Sequence, residues 1–166
     1  MLANFDKKLT PDLRMQIKNQ GRMIYEVVTI ASIVEREVGR NFKTGTKLSS
    51  ADSAKLSEER RIVAGIFYNR LKSRMPLDSD ATLNYITGSN SARATLDELK
   101  IDSPYNTYKY RGLPPAPIAN PSLDSILAAI SPTRTDYLYF LMDESGQAHY
   151  AKTLTEHARN RDLYLK

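Results

Sequence analysis

The sequence predicts an α+β domain that is mostly helical and carries a small antiparallel sheet or hairpin near its C-terminus. Three observations lead there. Apolar residues recur at helical spacing through the first half of the chain, as at Ile30, Val34 and Val38 and again at Val63, Ile66, Phe67 and Leu71. Residues 137–142 form the best strand candidate, an aromatic-rich run. Between these stretches, residues 103–121 hold five of the eight prolines and read as irregular chain. At 166 residues, with neither repeats nor an obvious linker, the sequence suits one domain with a core of its own.

Each element follows from local signals. Thr10-Pro11-Asp12 sets an N-cap before a proline at the first helical position, so a helix opens here and stops near Gly21. A second helix begins around Tyr25 and runs to Gly39, a residue suited to a C-cap. Residues 41–57 are polar and loop-like, with Gly45, Ser49, Ser50 and Ser53 among them. Ser57-Glu58-Glu59-Arg60 then reads as a cap with acidic residues in the first turn. The helix it opens buries Ile62, Val63, Ile66, Phe67 and Leu71 and ends at Met75-Pro76-Leu77. A short helix follows Asp78-Ser79-Asp80, and another lies near Leu96-Asp97-Glu98-Leu99. Residues 122–130 return to helix. The strand at 137–142 ends in a Glu144-Ser145-Gly146 turn signal and takes residues 147–150 as its hairpin partner. A helix from Thr153 onward closes the domain.

Composition narrows the chemistry. Hydrophobic residues make up 41% and charged residues 26%, ordinary globular proportions. With no cysteine, disulfides, thiolate catalysis and Cys-based metal sites are excluded. His149 and His157 are the two histidines, and they lack the i, i+4 spacing of a helical metal pair, so no metal is expected. His157, with Glu156 beside it, is expected to be a structural hydrogen bonder. No apolar run approaches the roughly 20 residues of a membrane span. Asp6, Lys7 and Lys8 interrupt the N-terminus as a signal peptide. The net charge of +5 suits nucleic acid, an anionic envelope polymer or plain solubility. Lys and Arg are spread along the chain and no nucleic-acid motif is present, so nucleic acid is not the expected partner.

The unusual stretch is Thr29-Ile30-Ala31-Ser32-Ile33-Val34-Glu35-Arg36-Glu37. At roughly 100° per residue, Val27, Ile30, Ala31, Ile33, Val34 and Val38 cover most of the helix circumference. Both Glu35 and Glu37 project within that apolar sector, while Arg36, Ser32, Thr29 and Tyr25 share the remaining wet stripe. An ionised carboxylate is costly to bury unpaired. A carboxylic acid whose pKa is raised by burial is what proton donation near neutral pH requires. A helix-end glutamate that snorkels, or pairs with an arginine, produces the same pattern. Periodicity does not rank the two glutamates. Asp78 and Asp80 offer a second carboxylate for a glycosidase-type pair, although Asp-Ser-Asp before a short helix is also ordinary cap chemistry. The loop Ser103-Pro104-Tyr105-Asn106-Thr107-Tyr108, continued by Gly112-Leu113-Pro114-Pro115, keeps one shape at low entropic cost. Its Tyr and Asn residues supply the flat faces and amides that hold sugar rings and N-acetyl groups, and a rigid structural corner has the same composition.

Taken in order, these segments resemble one family. Ala31-Ser32-Ile33-Val34-Glu35-Arg36-Glu37 is similar to the ASIVEKE signature of the MltG (YceG-like) endolytic murein transglycosylases. Val63-Ala64-Gly65-Ile66-Phe67-Tyr68-Asn69-Arg70-Leu71 resembles the family's next helix. Met75-Pro76-Leu77-Asp78-Ser79-Asp80-Ala81-Thr82-Leu83-Asn84-Tyr85 looks like its following segment, with Asp78 in place of a usual Gln and Ala81 in place of a usual Pro. The 103–108 and 112–115 loop matches as well, as do Tyr137-Leu138-Tyr139-Phe140 and Thr155-Glu156-His157. The stretch from Lys43 to Lys55 is longer than is typical of the family.

The resemblance implies one catalytic domain over residues 1–166, in which the family's N-terminal membrane anchor and LysM-like subdomain have no counterpart. It implies cleavage of the MurNAc-β-1,4-GlcNAc bond within peptidoglycan strands, leaving 1,6-anhydro-MurNAc ends. It also implies a place at the bacterial cell envelope, on the outer face of the inner membrane in the full-length protein, beside peptidoglycan synthases. Such a reaction needs one carboxyl group and no cofactor. That group first protonates the glycosidic oxygen, then takes the proton of the sugar's own C6 hydroxyl. By the resemblance it is Glu35, acting as acid and then base. Glu37, Asp80, Thr82, Tyr105, Asn106, Thr107, Tyr108 and Pro114 are expected to bind substrate or orient the acid. Two rival readings are a wall-binding module without activity and a hydrolase that uses Glu35 with Asp80.

Overall fold

The computed structural model of the chain describes residues 2–39, 48–89, 91 and 93–165. Among them are seven α-helices, one short 3₁₀ turn and one two-stranded sheet, the mostly helical α+β architecture expected from the sequence. The helices are α1 (Leu2–Lys8), α2 (Pro11–Asn19), α3 (Ile24–Glu37), α4 (Ser50–Lys72), α5 (Asp80–Thr87), α6 (Leu123–Ile130) and α7 (Leu154–Tyr164). The strands are β1 (Tyr139–Met142) and β2 (Ala148–Ala151). The 3₁₀ turn, Glu98–Lys100, stands where a short helix was expected. α1 had no recognised sequence signal.

Caps account for most boundaries. Thr10 accepts a hydrogen bond from the Leu13 amide and Pro11 opens α2. Thr153 and Glu156 form a reciprocal capping box on α7. Ser122 caps α6 by accepting from the Ser125 amide. α3 stops two residues short of Gly39, and Gly39 itself sits at φ +88. One expectation is overturned: α4 begins at Ser50, not at Ser57. Ser49 caps it, accepting from the Asp52 amide at 3.0 Å while its hydroxyl donates to the Asp52 carboxylate at 2.7 Å. The good helix formers Ala51, Ala54, Lys55 and Leu56 carry the helix onward, and Leu56 is buried. Ser57 therefore lies inside the helix, where its hydroxyl reaches Asp124 at 2.9 Å. The part of the expected loop over 41–47 lies outside the described residues.

α3 is the centre of the domain. Val27, Ile30, Ala31, Ile33 and Val34 are fully buried against α4 and α6. So are Thr29 and Ser32, which corrects the expected wet stripe. The proline-rich segment crosses that face: the Ile118 amide donates to Ser32 Oγ at 2.9 Å, and Ser32 donates to the Thr29 carbonyl at 2.8 Å. Serine suits this position because it satisfies a loop amide while staying inside a helix. α4 comes equally close to residues 131–135. A Cβ on Gly65 would lie 2.5 Å from the Thr133 carbonyl oxygen, so only glycine fits.

The hairpin pairs Tyr139 with Ala151 and Met142 with Ala148 in antiparallel register. Phe140 meets Phe67 of α4 edge to face, with centroids 5.8 Å apart. Arg70, buried in α4, joins the hairpin to the segment before α5. Its Nε donates to the Leu138 carbonyl at 2.6 Å, and its Nη1 donates to the Pro76 and Leu77 carbonyls and to Asp78 Oδ2 at 3.0–3.1 Å. α7 packs on the outer side of the hairpin, where His149 pairs with Asp143 at 2.8 Å and stacks on Tyr164. His157 stacks on Tyr139, but its Nδ1 is buried with no hydrogen-bond partner, so at that atom the expected hydrogen-bonding role is not filled.

Candidate active site

The two glutamates of α3 reach the N-termini of two different helices. Glu35 reaches α6. Its Oε2 accepts from the Ser122 amide at 3.0 Å and from the Ser122 and Ser125 hydroxyls at 2.6 Å each. Burial pushes this carboxyl upward, but the two serine hydroxyls, the Ser122 amide and the Arg60 charge together outweigh it and hold it below the ordinary glutamate value. The expectation that desolvation raises Glu35 is therefore corrected. The helix wheel placed it on an apolar sector, and the start of α6 fills that sector with donors. Arg60 is itself engaged with Asp124 at 2.6 Å.

Glu37 reaches α5. Its Oε1 accepts the Ser79 hydroxyl at 2.5 Å and the Ala81 amide at 3.4 Å. Several of the nominated residues surround this contact. Thr107 Oγ1 accepts the Ser79 amide at 3.1 Å and lies 2.9 Å from Thr82 Oγ1. Thr82 spends its proton on the Ser79 carbonyl at 2.8 Å, so Thr107 is the donor between the two threonines. Tyr108 donates its hydroxyl to Asp80 Oδ1 at 2.7 Å. Burial pushes the Tyr108 phenol well up, and the charges of Asp80, Glu37 and Asp78 add to it, so Tyr108 remains a protonated donor. Asp78 pairs with Arg70 at 3.1 Å, and burial raises its carboxyl despite that partner. It adopts φ +46, a left-handed conformation that Asp tolerates better than most residues.

Other nominated residues serve the loop. Asn106 is fully buried and its amide is spent on backbone: it donates to the Leu99 and Ile101 carbonyls and accepts from the Tyr108 and Lys109 amides. Asn106 thus folds the loop that presents Tyr105, Thr107 and Tyr108. Pro114 is buried farther along the same loop. Tyr105 stacks obliquely on Tyr85. Sequence reasoning missed Ser79, Ser122, Ser125 and Tyr85. The serines were visible as helix-start residues, but their carboxylate partners lie 42 to 90 positions away.

Beside Glu37 opens a cleft of about 290 Å³, walled by Arg36, by Ala81, Asn84 and Tyr85 of α5, and by Ile118 and Ala119 of the proline-rich segment. Ala81 both lines this cleft and donates its amide to Glu37. Glu37 thus shares Ala81 with the cleft, and a hydroxyl and an amide hold its ionised form. Among the described residues no three histidine, aspartate or glutamate side chains gather as a metal ion would require, and no helix is long and apolar enough to cross a membrane.

The sequence profile of the YceG-like family matches residues 52–162. An endolytic murein transglycosylase of Bacillus subtilis is 38% identical over 152 residues, which is 92% of this chain and 38% of the relative. One from Streptococcus pneumoniae is 40% identical over 166 residues, covering 96% of this chain and 27% of the relative. The chain thus spans less than half the length of these curated relatives. The fold is similar to a crystal structure of a yceG-like protein from Listeria monocytogenes, with a TM-score of 0.75 at 36% identity, covering 89% of this chain and 43% of that one.

Proposed function

The chain belongs to the YceG-like family, and from that premise we propose that it is the catalytic part of a peptidoglycan lytic transglycosylase. The reaction is cleavage of MurNAc-β-1,4-GlcNAc bonds within glycan strands, leaving 1,6-anhydro-MurNAc ends. The proton-transferring group we assign is Glu37, with Glu35 as the anchor of α6. The observation that carries this assignment is that Glu37 accepts the Ser79 hydroxyl and the amide of Ala81, a residue that lines the cleft. Thr82 and Thr107 are bonded around Ser79, and Tyr108 is bonded to the neighbouring Asp80. Glu35 has its Oε2 committed to three donors under a neighbouring helix.

In this mechanism Glu37 gives its proton to the glycosidic oxygen as the bond to the anomeric carbon breaks. The Ser79 hydroxyl and the Ala81 amide hold the carboxylate left behind. Glu37 then takes the proton of the C6 hydroxyl as that oxygen closes onto the anomeric carbon. No protein nucleophile or activated water enters, so a single carboxylate suffices. Tyr108 and Asp80, coupled at 2.7 Å, are suited to hold a sugar hydroxyl or an N-acetyl group beside it. The same reading places the protein at the bacterial cell wall, acting on glycan strands. For the longer proteins of the family it extends to the outer face of the inner membrane and to work beside peptidoglycan synthases.

Digestion of purified peptidoglycan followed by mass spectrometry tests the proposal. Lytic cleavage gives ends lighter by one water than hydrolytic ones. Asp80, close enough for its charge to bear on Tyr108 together with that of Glu37, keeps a two-carboxylate hydrolase as the second reading. Reducing ends would establish that reading, and binding to the wall without any product would replace both with a binding module.

A further inference from the structure

The cleft beside Glu37 carries an aromatic wall that the proton transfer does not use. Tyr85, one turn beyond Ala81 on α5, lines the cleft and is 49% exposed. Its ring lies against that of Tyr105, with centroids 4.9 Å apart and planes at 43°. Tyr105 comes from the proline-rich loop that Asn106 folds internally, so the pair is braced from two independent elements. A tyrosine held in this way presents a fixed apolar face with a polar tip and loses little freedom when something packs on it.

We propose that this cleft is a saccharide subsite in which Tyr85 stacks on the C–H face of an N-acetylhexosamine ring, one unit along the strand from the bond at Glu37. A pyranose has a face of axial C–H bonds and a rim of hydroxyls, which matches a flat ring flanked by a few polar groups. The remaining wall has that composition: Ala81 and Ile118 are apolar, whereas Asn84 and Ser89 are polar. Among the described residues Arg36 is the one charged side chain lining the cleft, so a polyanion is a poor fit. A volume of about 290 Å³ lies at the lower end of ligand cavities, the scale of one sugar ring. Ala81 lines the cleft and donates its amide to Glu37 at 3.4 Å, so a ring in the cleft lies one residue from the acid. The subsite makes the protein favour strands long enough to fill it. This inference rests on the lytic reading above.

The test compares wild type, Tyr85→Ala and Tyr85→Phe on long glycan strands, together with binding of the β-1,4-linked N-acetylglucosamine tetramer by NMR titration. Tyr85→Ala raises KM for long strands and weakens tetramer binding by about tenfold, while kcat stays near wild type. Tyr85→Phe, which keeps the ring, restores both. Ala119→Trp, which fills the cleft from the opposite wall, raises KM in the same way and covers the case in which Tyr85→Ala folds poorly. Wild-type KM and affinity in Tyr85→Ala and in Ala119→Trp overturn the subsite while leaving the lytic reading intact. A wild-type protein that neither binds the tetramer nor releases anhydro ends overturns both.

Discussion

The Ser122 hydroxyl donates to Glu35 Oε2 at 2.6 Å and accepts the Ser125 amide at 3.3 Å. One side chain thus caps α6 and fastens it to the end of α3. Glu35 completes the arrangement as a carboxylate at a helix N-terminus, where the macrodipole also favours negative charge.

Glu35→Gln should therefore be a stability variant. It removes the anionic acceptor of three hydrogen bonds and should cost about 1.5–3 kcal/mol, read from urea unfolding at neutral pH. The pH dependence has a definite sign. Glu35 is held below its ordinary value near 4.5, so its contribution is complete above that value and is lost as pH falls through the lower folded-state value. Wild type should lose stability between neutral and acidic pH more steeply than Glu35→Gln. Parallel curves would contradict the anchoring role.

Glu37→Gln should separate chemistry from folding. Anhydro-product release per folded molecule should fall by about a hundred- to ten-thousand-fold, the usual worth of a general acid, well beyond any loss of folded fraction. Glu35→Gln, corrected for folded fraction, should keep a rate of the wild-type order. The reverse pattern in product mass spectrometry would return the acid to Glu35.

The two threonines should behave as a unit. Thr107→Val leaves the Ser79 amide and the Thr82 oxygen unpaired and should cost about 1–3 kcal/mol. Thr82→Val alone should cost a similar amount by leaving the Thr107 hydroxyl without its acceptor. The double variant should cost less than the sum, with a coupling of about 0.5–3 kcal/mol from a double-mutant cycle. Strict additivity would mean the 2.9 Å contact carries no energy.

Gly65→Ala should reverse the usual helix rule. Alanine normally stabilises a helix interior by roughly 1 kcal/mol over glycine. Here the added methyl would meet the Thr133 carbonyl at 2.5 Å. Forcing α4 away from residues 131–135 should destabilise the fold by about 1–3 kcal/mol, measured as a lowered thermal midpoint.

What was legible in the sequence follows from the range of the forces involved. Thr10, Ser122 and Thr153 announced their helices because a cap bonds within its own first turn. The hairpin at 139–151 was legible for the same reason, its partners lying close along the chain. Ser49 was passed over because serine-rich chain reads as loop, and the buried Leu56 that secures the start of α4 is one apolar residue among polar ones. Thr29 and Ser32 were misjudged because a helix wheel shows polarity, not the loop amide of Ile118 arriving from 86 residues downstream. The same limit separated Glu35 from Glu37. Spacing put both on one enclosed helix, whereas their surroundings depend on Ser79 and Ser122, which belong to other elements. The family resemblance supplied the reaction and pointed to Glu35; the assignment to Glu37 is our proposal.

Arg70 gives the cleft a dependence on the order of synthesis. Its guanidinium holds the Pro76 and Leu77 carbonyls, the segment that leads to Ser79 and so to Glu37, while its Nε leans on the carbonyl of Leu138. A ribosome delivers α3, α4 and α5 well before Leu138, so Arg70 waits with one of its acceptors missing. The geometry around Glu37 is therefore completed only after the hairpin emerges. A nascent chain arrested before residue 138 should hold its helices yet lack the finished setting of Glu37 until the hairpin is in place.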